Sequence, residues 1–205
     1  MHIAITGNIG AGKTTLARML SKHYNWDVLY EAVEGNPYLA DFYQDMKRWS
    51  FNLQIYFLNS RFAQAQKIRS MHYQTVVQDR TIYEDAFVFA KNLEESGLMD
   101  KRDYQNYLML YNTMSSTVNP PDLIVYLKAD LPKLQSQIKK RGRAFEQSIS
   151  DEYLLNLNGL YDGLAQQYLD GNMLTIDVNN LNFEGNPADF EFIVNQLNEV
   201  LVGYR

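Results

Sequence analysis

Cysteine is absent from the 205 residues, so no disulfide framework, thiolate nucleophile or Cys-based metal site can form. That suits a reducing compartment. Only three histidines occur, His2, His23 and His72, and their spacing matches no metal-ligand pattern, so they are assigned no chemistry. The five prolines sit at expected turns, and no repeat, low-complexity tract or Gly/Ser/Pro-rich linker divides the chain. A single domain over 1–205 is the expectation. No run approaches the ~18 apolar residues of a membrane span, and the start at His2-Ile3 reads as a strand, without the basic leader and apolar core of a signal peptide. A cytoplasmic protein with no membrane partner is expected. Positive charge is also short: 19 Lys and Arg stand against 24 Asp and Glu, a net −5. Binding a phosphate backbone takes an extended basic surface, so a nucleic acid polymer is excluded as the main partner. Any cationic site must be local.

What the chain does have is a hydrophobic content of 46%, enough for a sizeable core, and one distinctive loop near its start. Gly7-Asn8-Ile9-Gly10-Ala11-Gly12-Lys13-Thr14 fits GxxxxGK[ST], directly after the apolar run Ile3-Ala4-Ile5 and before a helical pattern opening at Thr15-Leu16. In such a loop the glycines let successive backbone N–H groups turn inward around phosphate oxygens. The lysine reaches the β- and γ-phosphates, and the Thr14 hydroxyl ligates Mg²⁺. The loop is therefore a cradle for a nucleoside triphosphate.

Hydrophobic periodicity predicts strands at 2–6, 27–30, 75–79, 122–127 and 173–177. Helices are predicted at 13–24, 38–46, 49–70, 82–95, 101–117, 130–140, 151–169 and about 187–201. Strands alternating with helices make an α/β chain with a parallel sheet covered on both faces, whose ligands collect at the carboxyl ends of the strands. Gly7, Glu31 and Asp79 all follow such ends and should share one crevice. Asp79 after Val76-Val77 is expected to hold the metal, and Glu31 to accept the proton of an attacking hydroxyl. Arg80, always ionised, can neutralise charge on a transferring phosphoryl group. The basic turn around 139–147, Lys139-Lys140-Arg141-Gly142-Arg143 above all, is a candidate lid over the loop; a solvated helix end is the alternative. On 49–70, Gln54 and Arg61 share a face with apolar neighbours, and on 82–95 Asp85 and Phe89 are four apart. These four can form a flat pocket for a heterocycle, or Arg61 and Asp85 can be a purely structural bridge.

With these residues in view, the chain resembles the deoxynucleoside kinases, and is closest in length and wording to the short bacterial deoxyadenosine/deoxyguanosine kinases. The resemblance runs nearly end to end, through 7–15, Tyr30-Glu31-Ala32-Val33, Tyr43 to Gln54, Asp79-Arg80-Thr81-Ile82-Tyr83, Arg141-Gly142-Arg143 with Glu146, and Ile176-Asp177. It implies a P-loop kinase fold with a five-stranded sheet and an arginine-containing lid. The implied reaction moves the γ-phosphoryl group of ATP, with Mg²⁺, to the 5′-hydroxyl of a deoxynucleoside for nucleotide salvage. Deoxyadenosine is expected first, with deoxyguanosine or deoxycytidine as rivals. The resemblance makes Glu31 the base, puts Arg80 at the 5′ region and phosphates, and sets Arg141 and Arg143 in the lid that closes on the donor phosphates, which Lys13 of the loop also meets. Tyr43 and Glu146 match the pair that binds the 3′-hydroxyl; Gln54, Arg61, Asp85 and Phe89 match the base pocket; a homodimer is implied by analogy. The chain departs from the family's usual wording at Ala32, where Pro is frequent, at Asp79, where Glu is more usual, and at Gln137, where some members carry a further lid arginine. A thymidylate-type monophosphate kinase and a non-catalytic subunit with a kinase-like fold are the rival readings.

Overall fold

Ile3, Ala4 and Ile5 are fully buried, as a strand covered on both faces requires, and they make β1 (His2–Gly7) the centre of the sheet. The computed structural model describes residues 1–71, 74–167 and 172–202, and His72 and the last residues of the helix expected over 151–169 lie outside them. Around β1 stand β2 (Asp27–Leu29), β3 (Val76–Asp79), β4 (Leu123–Lys128) and β5 (Met173–Asp177), in the order β2-β3-β1-β4-β5. Every neighbouring pair is parallel, with Ile5 opposite Asp79 on one side and Val125 on the other. The chain builds one half of the sheet, crosses over β1 and builds the other. The loops after β1, β2 and β3 therefore gather at one edge, where the strand order switches.

Helices cover both faces because their apolar stripes need the sheet's alternating Ile, Val and Leu side chains for burial. The main core includes Leu16 and Leu20 of α1 (Lys13–Tyr24), Leu134 and Ile138 of α7 (Leu131–Arg141), Leu157 and Tyr161 of α8 (Asp151–Gln167) and Ile193 of α9 (Pro187–Val202). A smaller cluster, with Leu58, Ile82, Ala86 and Tyr107 in it, ties α3 (Met46–Ser70) to the segment after β3 and to α6 (Lys101–Ser115). Among the described residues no helix is long and apolar enough to cross a membrane.

Three local departures from the periodicity have physical reasons. The helix predicted at 49–70 starts at Met46 because the Asp45 side chain accepts the Arg48 N–H at 3.0 Å, so Asp45 both ends α2 (Leu39–Gln44) and caps α3. The stretch 82–95 is not one α-helix: α4 (Ile82–Glu84) leads into a π-helical turn (Asp85–Ala90) and then α5 (Lys91–Glu95). π-turns are rare and concentrate at functional sites, and this one carries Asp85 and Phe89. The basic turn is itself structured: Arg141 is the last residue of α7, Gly142 ends it at φ 69°, and a 3₁₀ turn (Ala144–Ser148) presents Glu146.

Candidate active site

The loop after β1 can exist only with its glycines. Gly7, Gly10 and Gly12 have φ of 141°, 88° and 98°, and a Cβ on Gly7 or Gly10 would lie 2.6 or 2.8 Å from the carbonyl oxygens of Leu127 or Leu134. Backbone cannot yield as a side chain can, so these positions exclude every larger residue. Asn8 locks the loop from behind: its Oδ1 accepts the Ile9 N–H at 2.7 Å, and its Nδ2 donates to the Leu154 carbonyl and to Asn158 Oδ1 on α8. Lys13 Nζ, buried, donates to the Asn8 carbonyl at 2.8 Å. Burial first, and then the charge of Arg80, push this amine down to about 7. It stands ready to gain from an arriving polyanion.

At the end of β3, Thr14 Oγ1 donates to Asp79 Oδ2 at 2.5 Å, while Asp79 Oδ1 is buried without a hydrogen-bond partner. Burial, reinforced by the Glu31 carboxylate, pushes the Asp79 carboxyl up. A buried acceptor beside a hydroxyl is what a hard, oxygen-seeking cation bound mainly by phosphates and water needs from a protein. No cluster of three or more His, Cys, Asp or Glu suited to a metal ion occurs among the described residues. Thr14 and Asp79 could therefore hold such a cation if most of its ligands came from elsewhere.

Across the cradle, Glu31 accepts from Arg61 Nη2 at 3.0 Å and lies 3.2 Å from Arg80 Nε. Burial alone would raise this carboxyl, but Arg80, Arg61 and Lys13 outweigh it and hold it down at about 2. Arg80 has a φ of 70°, uncommon for a residue with a Cβ, and its guanidinium sits 4.4 Å above the centre of the Phe89 ring. Glu84, also buried, approaches Arg80 Nη1 at 3.8 Å and accepts from Tyr161 Oη at 2.5 Å. Together Glu31 and Glu84 keep Arg80 ionised despite burial.

Beyond Glu31 the cavity is walled by Gln54, Phe57, Asp85 and Phe89. Gln54 Oε1 and Asp85 Oδ2 are both buried with no hydrogen-bond partner. Burial pushes the Asp85 carboxyl up to about 7, against the pull of Arg61, whose Nε is 3.4 Å away. Arg61 is fully buried and does not reach the cavity wall; it stands behind Glu31 and Asp85 and holds both. On the far side, Tyr43 stacks on Phe145 at 5.6 Å, and Glu146 accepts from Arg141 Nε at 2.9 Å and Arg143 Nη1 at 3.2 Å.

One cavity of about 400 Å³ brings together Gly10, Gly12, Lys13, Thr14 and Thr15 with Glu31, Tyr43, Gln54, Arg80, Asp85, Phe89, Arg141, Arg143 and Glu146. Ile9 lines it too, whereas Gly7, Asn8 and Ala11 shape the loop from behind, and Asp79 faces it through Thr14. A sequence model described as Deoxynucleoside kinase matches residues 3–202. The chain belongs to the deoxynucleoside kinase family. A deoxyadenosine kinase of Dictyostelium discoideum is 51% identical over 165 residues, which cover 80% of this kinase and 66% of that protein. A deoxyguanosine kinase of Bacillus subtilis is 37% identical, over 98% of this kinase and 97% of its own length. Among solved structures, a deoxyadenosine kinase from M. mycoides with bound dATP superposes with a TM-score of 0.84 at 34% identity, covering 97% and 99% of the two chains.

Several residues of this kinase's site escaped the sequence reading. Glu84 and Tyr161 hold Arg80 from behind, Tyr153 lines the cavity, and Phe183 lies 2.7 Å from where a Cβ on Gly12 would be. Glu84 alone had a local signature: Thr81-x-x-Glu84 is a capping box, realised here with the Thr81 N–H donating to Glu84 Oε1 at 2.8 Å. The others come from chain segments too distant for spacing to reveal.

Proposed function

We propose that this kinase transfers the γ-phosphoryl group of ATP to the 5′-hydroxyl of a deoxynucleoside, deoxyadenosine foremost, giving the 5′-monophosphate for nucleotide salvage. The observation that carries the choice of base is the pair of buried acceptors with no hydrogen bond from the protein, Gln54 Oε1 and Asp85 Oδ2, on the cavity wall, the second also ion-paired with Arg61 Nε at 3.4 Å. An unmet buried acceptor costs ~1–3 kcal/mol, which an amino group on the entering base relieves and a carbonyl does not. Adenine carries that group at its six-position where guanine carries an oxygen, and guanine's own donors, N1–H and the 2-amino group, stand at other positions of the ring edge. Cytosine also has an amino edge, so deoxycytidine is the second reading, in keeping with a relative named for deoxyadenosine and deoxycytidine, and relatives named for deoxyguanosine keep that base in competition.

In this mechanism Phe57 and Phe89 flank the base, Tyr43 and Glu146 receive the sugar 3′-hydroxyl, and Glu31 accepts the hydrogen bond of the 5′-hydroxyl and finally its proton. With its carboxylate held at about 2, Glu31 is a weak base, so its main work is alignment, with the proton passing late as the P–O bond forms. Phosphoryl transfer of this loose kind gains most from position and charge. Lys13, Arg80, Arg141 and Arg143 supply positive charge, and the backbone N–H groups at the start of α1 receive the β-phosphate. Thr14, with Asp79 directly or through water, would hold Mg²⁺, which would supply charge neutralisation for the phosphates when bound.

A monophosphate acceptor needs cations to spare for its own phosphate. Here Arg61 and Arg80 are already faced by Glu31, Glu84 and Asp85, which favours an uncharged acceptor. We read the chain as one cytoplasmic kinase domain acting as a homodimer. The exposed side chains Met109 and Leu110 of α6 and the neighbouring Phe87 offer apolar surface for such pairing. The test is kcat/KM for the four deoxynucleosides with ATP and Mg²⁺. Deoxyadenosine should exceed deoxyguanosine by about tenfold or more; thymidine as the best substrate would overturn the reading of the pocket.

A further inference from the structure

We propose that Glu146 is a positioning residue for the donor side as well as a ligand of the acceptor, so that one carboxylate links the sugar 3′-hydroxyl to the two lid arginines. The inference rests on the reading of Glu146 as the 3′-hydroxyl ligand. It goes beyond that reading by making donor affinity depend on the acceptor's 3′ position.

An ionised carboxylate offers four lone-pair positions. On Glu146, Oε2 accepts from both Nε and Nη2 of Arg141, and Oε1 accepts from Nη1 of Arg143. Three positions are therefore taken, and one remains on Oε1. The carboxylate is buried, 5% exposed, while the arginine side chains are about one-third exposed and line the cavity. On the cavity wall beside Tyr43, Oε1 keeps room for one further donor, which a sugar hydroxyl can supply.

The arginines keep the complementary capacity. Each guanidinium has five N–H donors. Arg141 uses two on Glu146 and Arg143 one, so each retains at least three for phosphate oxygens without letting go of the carboxylate. Glu146 thus does not compete with the donor; it fixes the direction from which the two forks meet it. Their backbone setting makes that support necessary. Arg141 ends α7 and Arg143 follows Gly142 at φ 69°, with nothing within 4 Å of where a Gly142 Cβ would be. A segment that turns at a glycine gains from a tether beyond the turn. A 3′-hydroxyl that fills the last position restrains Glu146, and through it both arginines, before the triphosphate arrives. Linkage then requires that the triphosphate tighten the acceptor by the same factor.

The test measures the Kd of a non-hydrolysable ATP analogue with Mg²⁺ by calorimetry in three states: enzyme alone, with saturating 2′-deoxyadenosine, and with saturating 2′,3′-dideoxyadenosine. For the wild-type protein, deoxyadenosine should tighten the analogue by about fivefold or more, and the dideoxy compound by less than about twofold. The Glu146→Gln variant keeps an oxygen for the 3′-hydroxyl but loses the charge that gathers the arginines. Whatever deoxyadenosine affinity it loses, at saturating nucleoside it should show the same analogue Kd in all three states. Equal tightening by the two nucleosides in the wild-type protein, which needs no variant to fold, would overturn the proposal. So would full coupling in Glu146→Gln. If dideoxyadenosine binds more weakly than deoxyadenosine but the donor does not respond, the 3′ assignment stands and the linkage fails. If the two nucleosides bind equally well, the assignment and the linkage fail together.

Discussion

Replacing Glu31 by Gln preserves the size of the side chain and removes its charge, so it separates orientation from electrostatics in the centre of the cavity. The carboxylate accepts from Arg61 at 3.0 Å and faces Arg80 at 3.2 Å, and its affinity for a proton is held down at about 2. General bases contribute ~10²- to 10⁴-fold, and so weak a base belongs at the low end. At about 1.36 kcal/mol per decade, a loss of ~10²-fold in kcat corresponds to about 2.7 kcal/mol of transition-state stabilisation. ATP affinity should change by less than about threefold, since Glu31 meets the acceptor and not the triphosphate. The fold should survive, because Arg61 retains Asp85 and Arg80 retains Glu84. Removing the sole partner of a buried cation costs ~3–5 kcal/mol, but here neither arginine is left alone. The sign of the pH effect also follows. A carboxylate depressed from 4.5 to about 2 contributes stability above pH 4.5, and loses it as pH falls through about 2, so Glu31 gives no acid limb in the rate between pH 5 and 8. Steady-state kinetics with deoxyadenosine, analogue binding by calorimetry and a pH–rate profile check these three statements. A Glu31→Gln enzyme within about threefold of wild-type kcat would refute the reasoning.

Asp85→Asn places an amide donor opposite the base edge, so the ratio of kcat/KM for deoxyadenosine over deoxyguanosine should fall by about tenfold or more in side-by-side assays. Gly10→Ala would drive a Cβ to 2.8 Å from the Leu134 carbonyl at a φ of 88°, and should lower Tm, by ~1–3 kcal/mol of stability, and weaken ATP binding. Lys13, pushed down to about 7 in the free enzyme, must bind a proton to pair with phosphate above that pH. Calorimetry in buffers of different ionisation heat should therefore show proton uptake on ATP binding at pH 8, and less at pH 6. Asp79→Asn removes the charge beside Thr14, and the Mg²⁺ concentration for half-maximal rate should rise, read from a magnesium titration at fixed ATP.

Much of this was legible because local rules and the fold agree. The strand before Gly7, the glycine-built loop and the helix that follows it can be read from spacing, and alternation of strands and helices yields the parallel sheet that gathers Gly7, Glu31 and Asp79. The helical phase of Gln54 with Arg61 was also readable, but not that Arg61 lies behind the cavity wall while Gln54 lies on it. Periodicity gives a face, not a depth. The π-turn at 85–90 departs from any 3.6-residue expectation, and nothing in Asp-Ala-Phe-Val-Phe-Ala marks it. Glu146 between two arginines could be matched only by resemblance, since the 3₁₀ turn that folds it back onto Arg141 has no periodic signal. Asn8 to Asn158 spans most of the chain, and such a contact exists only once the sheet has assembled.

The claim that the rest depends on is that an uncharged sugar alcohol meets the terminal phosphoryl group beside Glu31. Terminally labelled ATP, incubated with the kinase, Mg²⁺ and either deoxyadenosine or its 5′-monophosphate, tests it directly. Label appearing in the 5′-monophosphate, with the monophosphate itself inert as acceptor, is the result predicted. Label passing only to the monophosphate to form a diphosphate would contradict it.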